Sequence, residues 1–316
     1  MILGILTANP FFASCLLASL LMIVWKLAAR DRGIAWPHVL FPPLWSVVST
    51  LVLGASAQLL PVVLDRLLYA ADGSFGFQPA FAGARLLLRT PWLLHTCAVC
   101  YFNLPVAMVL IYLLLRRYSG SEAASEFVRF AIYLAVAGTL LYFACPAVGP
   151  GGVFAGDFPY RTPAASAVPI TMPPSARNCM PSMHTAWILC LLWSAPRLSR
   201  WFRALLWAFA GFTLLYALSA GGHYLVDLIV AVPFTQAVRA GLRQQWKSAA
   251  FALNATLVAC WFVLLRYAIP LFTASPALPY TLTVLTLASG LLVRAPHQAS
   301  LHRDRDLRDL PAVLVR

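Results

Sequence analysis

Two short polar stretches, RNCMPSMH at residues 177–184 and GGHYLVD at residues 221–227, decide how this chain is interpreted. Each stretch lies next to an apolar run, and the residues between them are numerous enough to cross a bilayer twice. Ionisable side chains are rare in such hydrophobic surroundings unless they have a function. His184, His223 and Asp227 are therefore the residues that most need a chemical explanation.

The composition is that of a polytopic, all-α membrane protein. Of the 316 residues, 61% are hydrophobic and 10% are charged, and the mean hydropathy is +0.79. A bilayer-spanning helix takes about 20 residues, and the apolar runs predict about nine transmembrane helices. They fall at roughly 11–29, 39–63, 91–115, 127–146, 182–196, 201–219, 223–240, 250–270 and 278–294.

The formal net charge of +13 reflects basic clusters between the apolar runs. These clusters set membrane topology, so no nucleic-acid partner is expected. Alternate helix ends carry most of the Lys and Arg, which predicts an external N-terminus and a cytoplasmic C-terminus in a bacterial inner membrane. His184, His223 and Asp227 are then expected near the external, periplasmic face. No obligate protein partner is inferred.

The chain is predicted to have three parts. Residues 1–125 would form N-terminal membrane helices with an external interfacial segment at 65–90, and residues 126–245 a catalytic helical core. Residues 246–316 would add further helices and a basic cytoplasmic tail. The proline-rich stretch 146–181 is expected to cap the site. Cys145 and Cys179 flank that cap, and a disulfide between them is left open.

The spacing of His223 and Asp227 places both side chains on one helix face. A carboxylate there can orient the imidazole and stabilise its cation. Pro181 and Ser182 lie at a helix start, where free amides attract anions. Three other interpretations stay open: a structural His–Asp hydrogen bond, a proton relay in a transporter, and a haem or metal site with paired histidines.

The motifs Pro181–His184 and His223–Asp227 resemble the second and third signatures of the type 2 phosphatidic acid phosphatase (PAP2) superfamily. More narrowly, they resemble its branch related to inositol phosphorylceramide synthase and sphingomyelin synthase. The resemblance implies metal-independent phosphoryl transfer without a cofactor, on a lipid phosphate or phospholipid in the bilayer. It implies His223 as nucleophile, Asp227 as its orienter and His184 as general acid, with Ser182 holding phosphate oxygens.

The family's basic first motif is missing, and the uncharged CPAVGP at residues 145–150 stands in its place. Tyr216 and Ala217 also replace the Ser-Arg pair that usually precedes the third motif. We expect Arg177 to substitute as the phosphate-binding cation, with Arg161 second, because the guanidinium fork suits phosphate. The further substrate-binding candidates are Asn178, His95 and Tyr160.

These observations predict a lipid-phosphate phosphatase that acts at the external face through a phosphohistidine. A headgroup phosphotransferase is the alternative, because hydrolysis and transfer use the same residues and differ only in the acceptor. A proton-coupled transporter is the second alternative. It would place polar residues through the whole depth of the membrane, whereas here they gather at one end.

Overall fold

The computed structural model describes residues 9–31, 33–195, 199–275 and 277–292. Within them 75% of the residues are helical and almost none lie in strands, which confirms the predicted all-α class. The predicted basic tail and its histidines at 297 and 302 lie outside the described residues. One short antiparallel sheet is present, in which β1 (Val62–Val63) pairs with β2 (Ile170–Thr171).

The long helices fall where the hydropathy of the sequence predicts them. In chain order they are α1 (Pro10–Ala28), α2 (Trp36–Leu59), α5 (Pro91–Phe102), α6 (Leu104–Tyr118), α7 (Ser121–Ala144), α9 (Met183–Ser194), α10 (Arg200–Ser219), α11 (Leu225–Leu242), α12 (Ala249–Tyr267) and α14 (Ala277–Leu292). The shorter helices are α3 (Asp65–Gly73), α4 (Pro79–Arg89), α8 (Pro150–Val153) and α13 (Ile269–Ala274).

The predicted count of about nine spans is not reproduced in the described residues. Six helices there are long and apolar enough to cross a membrane, as in an integral membrane protein. The predicted run 91–115 is a bent pair, because α5 and α6 meet at 56° near Pro105. Two further predicted spans, α9 and α14, are apolar but shorter than a full crossing.

The segment 65–90, expected along the external interface, is more deeply buried than predicted. Leu67, Leu68, Tyr69 and Ala71 of α3 are all buried, within a core cluster that also holds Trp261 of α12. The segment is therefore part of the packed structure beneath the cap.

Ion pairs join the ends of helices far from the two histidine motifs. Arg116 at the end of α6 forms a salt bridge with Asp31, and Arg243 after α11 contacts Glu126 near the start of α7. Since α11 begins beside His223, its basic C-terminal end lies about 27 Å from the site at 1.5 Å per residue. The ion-paired helix ends therefore lie at the opposite end of the helices from His184 and His223.

Carboxylates from α3 hold the cap and the start of α11. The carboxylate of Asp72 accepts hydrogen bonds from the amides of Leu225 (2.8 Å) and Val226 (3.1 Å). Asp65 accepts from the amides of Val148 (3.0 Å) and Gly149 (2.7 Å) in the cap. It also accepts from the hydroxyl of Tyr224, at 3.1 Å. Burial raises the pKa of Asp65 to about 6 and that of Asp72 to about 8.

We predict that Asp72 makes the stability of the fold depend on pH. Its pKa rises from about 3.9 in the unfolded chain to about 8 in the folded one, so the folded state binds the extra proton. Stability should then fall as the pH rises from about 4 to about 8. Thermal unfolding in detergent across this range measures the effect.

The matched control is Asp72→Asn, which keeps an acceptor oxygen for one of the two amides and does not titrate. Its melting temperature should vary less with pH than that of the wild type. The same pH dependence in both proteins would contradict the assignment to Asp72.

Candidate active site

The two histidine motifs meet at one end of the helices. His184 lies in the first turn of α9, and His223 lies two residues before α11. Their ring centroids are 6.0 Å apart. His223 and Asp227 are buried, with the carboxylate fully enclosed. The structure therefore brings together the three residues that the sequence singles out.

His223 is oriented by the backbone of Cys179. Its Nδ1 lies 2.9 Å from the carbonyl oxygen of Cys179, whereas the carboxylate Oδ2 of Asp227 is farther away, at 3.6 Å. Because a carbonyl oxygen only accepts, Nδ1 must carry the ring proton in this contact, and the lone pair of the neutral ring lies on Nε2. The expected Asp227 orienter is thus replaced at Nδ1 by the Cys179 carbonyl.

Asp227 is held by its own local partners. Its Oδ2 accepts from the amide of Tyr224 (2.7 Å) and from the thiol of Cys179 (2.7 Å). Burial raises the pKa of the Cys179 thiol well above its usual range, so this thiol is protonated and donates. Cys145 and Cys179 are both free thiols, which answers the open question of a disulfide.

The ring of His184 lies in an aromatic enclosure. Tyr101 of α5 stacks on it with centroids 4.0 Å apart, and Phe11 of α1 and Trp187 of α9 approach edge-on. Its Nε2 is buried and has no hydrogen-bond partner among the described residues. A buried nitrogen without a partner is costly, so it is available to a bound molecule.

Ser182 links the two motifs through the backbone. It is the fully buried N-cap of α9, and its hydroxyl accepts from the amide of Thr185 at 3.4 Å. Its own amide donates to the backbone carbonyl of Asp227 at 3.2 Å. The starts of α9 and α11 are thereby fixed to each other.

Close backbone packing brings the cap against the His223 turn. The amide of Gly151 donates to the carbonyl of Gly221, and a Cβ on Gly221 would lie 2.7 Å from the backbone of Gly151. Gly221 also has a φ of +78°, which L side chains rarely adopt. Gly149, in the uncharged stretch that replaces the basic first motif, packs just as closely, since a Cβ on it would lie 2.6 Å from the carbonyl oxygen of Gly221.

Arg177 is buried, but its guanidinium is occupied by the chain itself. Its Nε donates to the carbonyl of Leu60 (3.1 Å), and Nη1 donates to the carbonyl and hydroxyl of Ser175 (2.9 and 2.6 Å). Its Nη2 reaches the carbonyls of Met172 (3.4 Å) and Pro173 (3.3 Å). These acceptors match the five N–H donors of arginine, so in this structure Arg177 binds the backbone around the cap, and its role as the phosphate-binding cation stays a prediction.

The remaining predicted substrate-binding residues lie toward the surface. Arg161 is 84% exposed with a distant ion pair to Asp157, at 3.9 Å, and Tyr160 is 78% exposed. Asn178 is partly buried beside Arg177, and His95 is exposed on α5. On that helix the contact with His184 is made by Tyr101, which sequence reasoning missed because aromatic residues are ordinary in an apolar helix.

These features define a helical membrane protein with a buried His–His–Asp site fixed between two helix starts. The sequence model that describes the PAP2 superfamily matches residues 66–240 of this protein, which is more than half of the chain. The protein therefore belongs to the PAP2 superfamily, whose members typically carry out phosphoryl transfer. No curated protein and no solved structure matches the chain.

We predict that Arg177 supports the fold of the cap. Arg177→Ala would leave buried carbonyls without donors and should lower the free energy of unfolding by about 3 kcal/mol. Arg161→Ala, at an exposed position, should change it by less than about 0.5 kcal/mol. Thermal unfolding with and without inorganic phosphate measures both effects. If Arg177→Ala is as stable as the wild type but is no longer stabilised by inorganic phosphate, Arg177 binds phosphate and does not support the fold of the cap.

Proposed function

We propose that this protein is a lipid-phosphate phosphatase of the membrane, acting through a phosphohistidine at the external face. The observation that carries the proposal is the hydrogen bond from His223 Nδ1 to the Cys179 carbonyl. It leaves the Nε2 lone pair free to attack phosphorus, and such activated nucleophiles are positioned by a third group in this way. Asp227, 3.6 Å from Nδ1, stabilises the imidazolium that forms.

His184 is assigned the role of general acid in this mechanism. Its ring lies 6.0 Å from that of His223, close enough for both side chains to contact one phosphoryl group. In the first step His184 protonates the leaving alcohol oxygen while His223 forms the N–P bond. In the second step His184 takes a proton from water, whose oxygen displaces His223 and releases phosphate.

The lipid substrate is inferred from where the site lies. His184 is enclosed by aromatic side chains of apolar helices, including Phe11 of α1 and Tyr101 of α5. A phosphate attached to a hydrocarbon chain can reach this position from the bilayer, whereas a strongly hydrated soluble phosphate would have to lose its water. The resemblance to the sphingolipid branch of the family stays a prediction.

A headgroup phosphotransferase is the second candidate, and a polar cavity favours it. The cavity, about 370 Å³ in volume, lies in the cap beside α3. Its polar lining residues are Arg66, Tyr69, Asp157 and Ser166, and apolar residues of the cap such as Phe154 complete it. The hydroxyl groups and the positive and negative charges of these side chains suit an acceptor alcohol that is a polyol or a zwitterion. In this mechanism the acceptor alcohol takes the place of water in the second step.

Wild-type protein should release inorganic phosphate from long-chain lipid phosphates or diphosphates without added metal. His223→Ala should reduce the rate by at least about a thousandfold, because the nucleophile is lost. Mass spectrometry of products from a panel of lipid phosphates, with and without acceptor alcohols, makes the measurement. A new phosphodiester formed only with the acceptor would select the transferase, and wild-type activity in the variant would contradict the nucleophile.

The general-acid role of His184 predicts a dependence on the leaving group. His184→Ala should slow hydrolysis of an alkyl phosphate much more than that of a nitrophenyl phosphate, because nitrophenolate leaves without protonation. The difference between the two substrates should be about a hundredfold. Tyr101→Phe, which keeps the stacked ring, is the control. An equal loss on both substrates would show that His184 has another role.

A further inference from the structure

Three buried side chains at the site present the donor atoms that zinc binds. The Sγ of Cys179, the Nδ1 of His223 and a carboxylate oxygen of Asp227 all lie within 4.8 Å of one another. Sulfur, imidazole nitrogen and carboxylate oxygen are the protein ligands of Zn²⁺. The three come from two separate parts of the chain, the end of the cap and the start of α11.

The charge on Asp227 is not balanced by a cation of the chain. Its Oδ1 is buried without a hydrogen-bond partner among the described residues. In the same part of the chain no Lys or Arg lies within salt-bridge distance of it, and the contacts of Oδ2 are with an amide and a thiol. A buried carboxylate with neutral partners is costly. A metal ion between these ligands would compensate it.

We propose that Cys179, His223 and Asp227 form an inhibitory Zn²⁺ site. The thiol of Cys179 releases its proton to solvent and binds the metal as a thiolate, next to Nδ1 of His223 and a carboxylate oxygen of Asp227. Gly222 is exposed, and its carbonyl oxygen lies 3.3 Å from Sγ. An ion would enter past this exposed residue, and water would complete the tetrahedral coordination.

Inhibition follows from the proton on the imidazole ring. A neutral imidazole carries one proton, on Nδ1 or on Nε2. When Nδ1 gives its lone pair to a metal, the proton must lie on Nε2, and Nε2 then has no lone pair with which to attack phosphorus. The metal-bound and nucleophilic forms of His223 are mutually exclusive. This inhibitory effect rests on the proposed function, whereas binding of the ion does not.

The donor set also determines which ions should bind. One thiolate, one imidazole and one carboxylate favour Zn²⁺ and Co²⁺, whereas Mg²⁺ and Ca²⁺ prefer oxygen ligands in larger coordination shells. Mg²⁺ should therefore neither bind here nor inhibit.

Metal binding is tested on the purified, metal-free full chain in detergent. Calorimetric titration with ZnCl₂ should give one site per chain, and CoCl₂ should give the absorption of a thiolate–cobalt bond. Cys179→Ala should weaken Zn²⁺ binding by about a hundredfold and abolish the thiolate absorption. Cys145→Ala removes another buried thiol outside the site and should bind as the wild type does.

A second variant separates loss of a ligand from loss of fold. Cys179→Ser keeps a hydrogen-bond donor for Asp227 but is a poor Zn²⁺ ligand, so it should fold and still bind weakly. The proposal is overturned if wild-type protein takes up no Zn²⁺, or if the Cys179 variants bind it as tightly as the wild type.

Activity provides the second readout. Zn²⁺ should inhibit lipid-phosphate hydrolysis by the wild type, a chelator should restore it, and Mg²⁺ should have no effect. Stoichiometric binding without inhibition would overturn the inhibitory role. If the metal-free wild type hydrolyses no lipid phosphate at all, the proposed function fails, while the binding data still decide whether the zinc site exists.

Discussion

The site depends on carboxylates that hold the start of α11. Asp72 accepts from the amides of Leu225 and Val226, and Asp227 accepts from the amide of Tyr224. A helix start buried without such acceptors would leave several polar groups unsatisfied in an apolar environment. Because these bonds fix the first turn of α11, they also fix His223 immediately before it. The cap is attached to the same place, since Asp65 binds both its backbone and Tyr224.

This arrangement has an electrostatic consequence for an anionic substrate. The first amides of α11 already donate to the carboxyl groups of Asp72 and Asp227, so they are not available to an anionic substrate. The start of α9 is different, since in the described residues no carboxylate accepts from its first amides, and its cap is the hydroxyl of Ser182. In the proposed function, a phosphate would therefore be attracted to the α9 side, next to His184. This helix start would then supply part of the positive potential that basic residues provide in the family's usual first motif.

The sequence allowed the helical fold and the meeting of the two motifs to be predicted, because hydropathy and i, i+4 spacing are local properties. The partners that hold the site are not local. Asp72 and its amide partner Leu225 are 153 residues apart, and Arg177 and its acceptor Leu60 are 117 apart. The sequence around an arginine does not show whether its guanidinium binds backbone carbonyls, as that of Arg177 does, or is available to phosphate. For Cys179 the sequence likewise suggests only a possible disulfide, because nothing near it in sequence shows that its thiol and carbonyl face Asp227 and His223.

In many nucleophile–base pairs, one carboxylate both orients the imidazole ring and stabilises its positive charge. Here Cys179 and Asp227 share these two tasks. The Cys179 carbonyl, at 2.9 Å, sets the tautomer and direction of the His223 ring, whereas Asp227, at 3.6 Å, acts on it through charge. The position of the Cys179 carbonyl is set by the backbone and not by the Cys179 side chain. The orientation of the His223 ring therefore depends on the path of the backbone from the cap into α9. That path is fixed where the amide of Ser182 binds the carbonyl of Asp227. In the proposed mechanism, the packing of the two helix starts therefore aligns the nucleophile, and the carboxylate is left to stabilise the charge that develops on the ring during reaction.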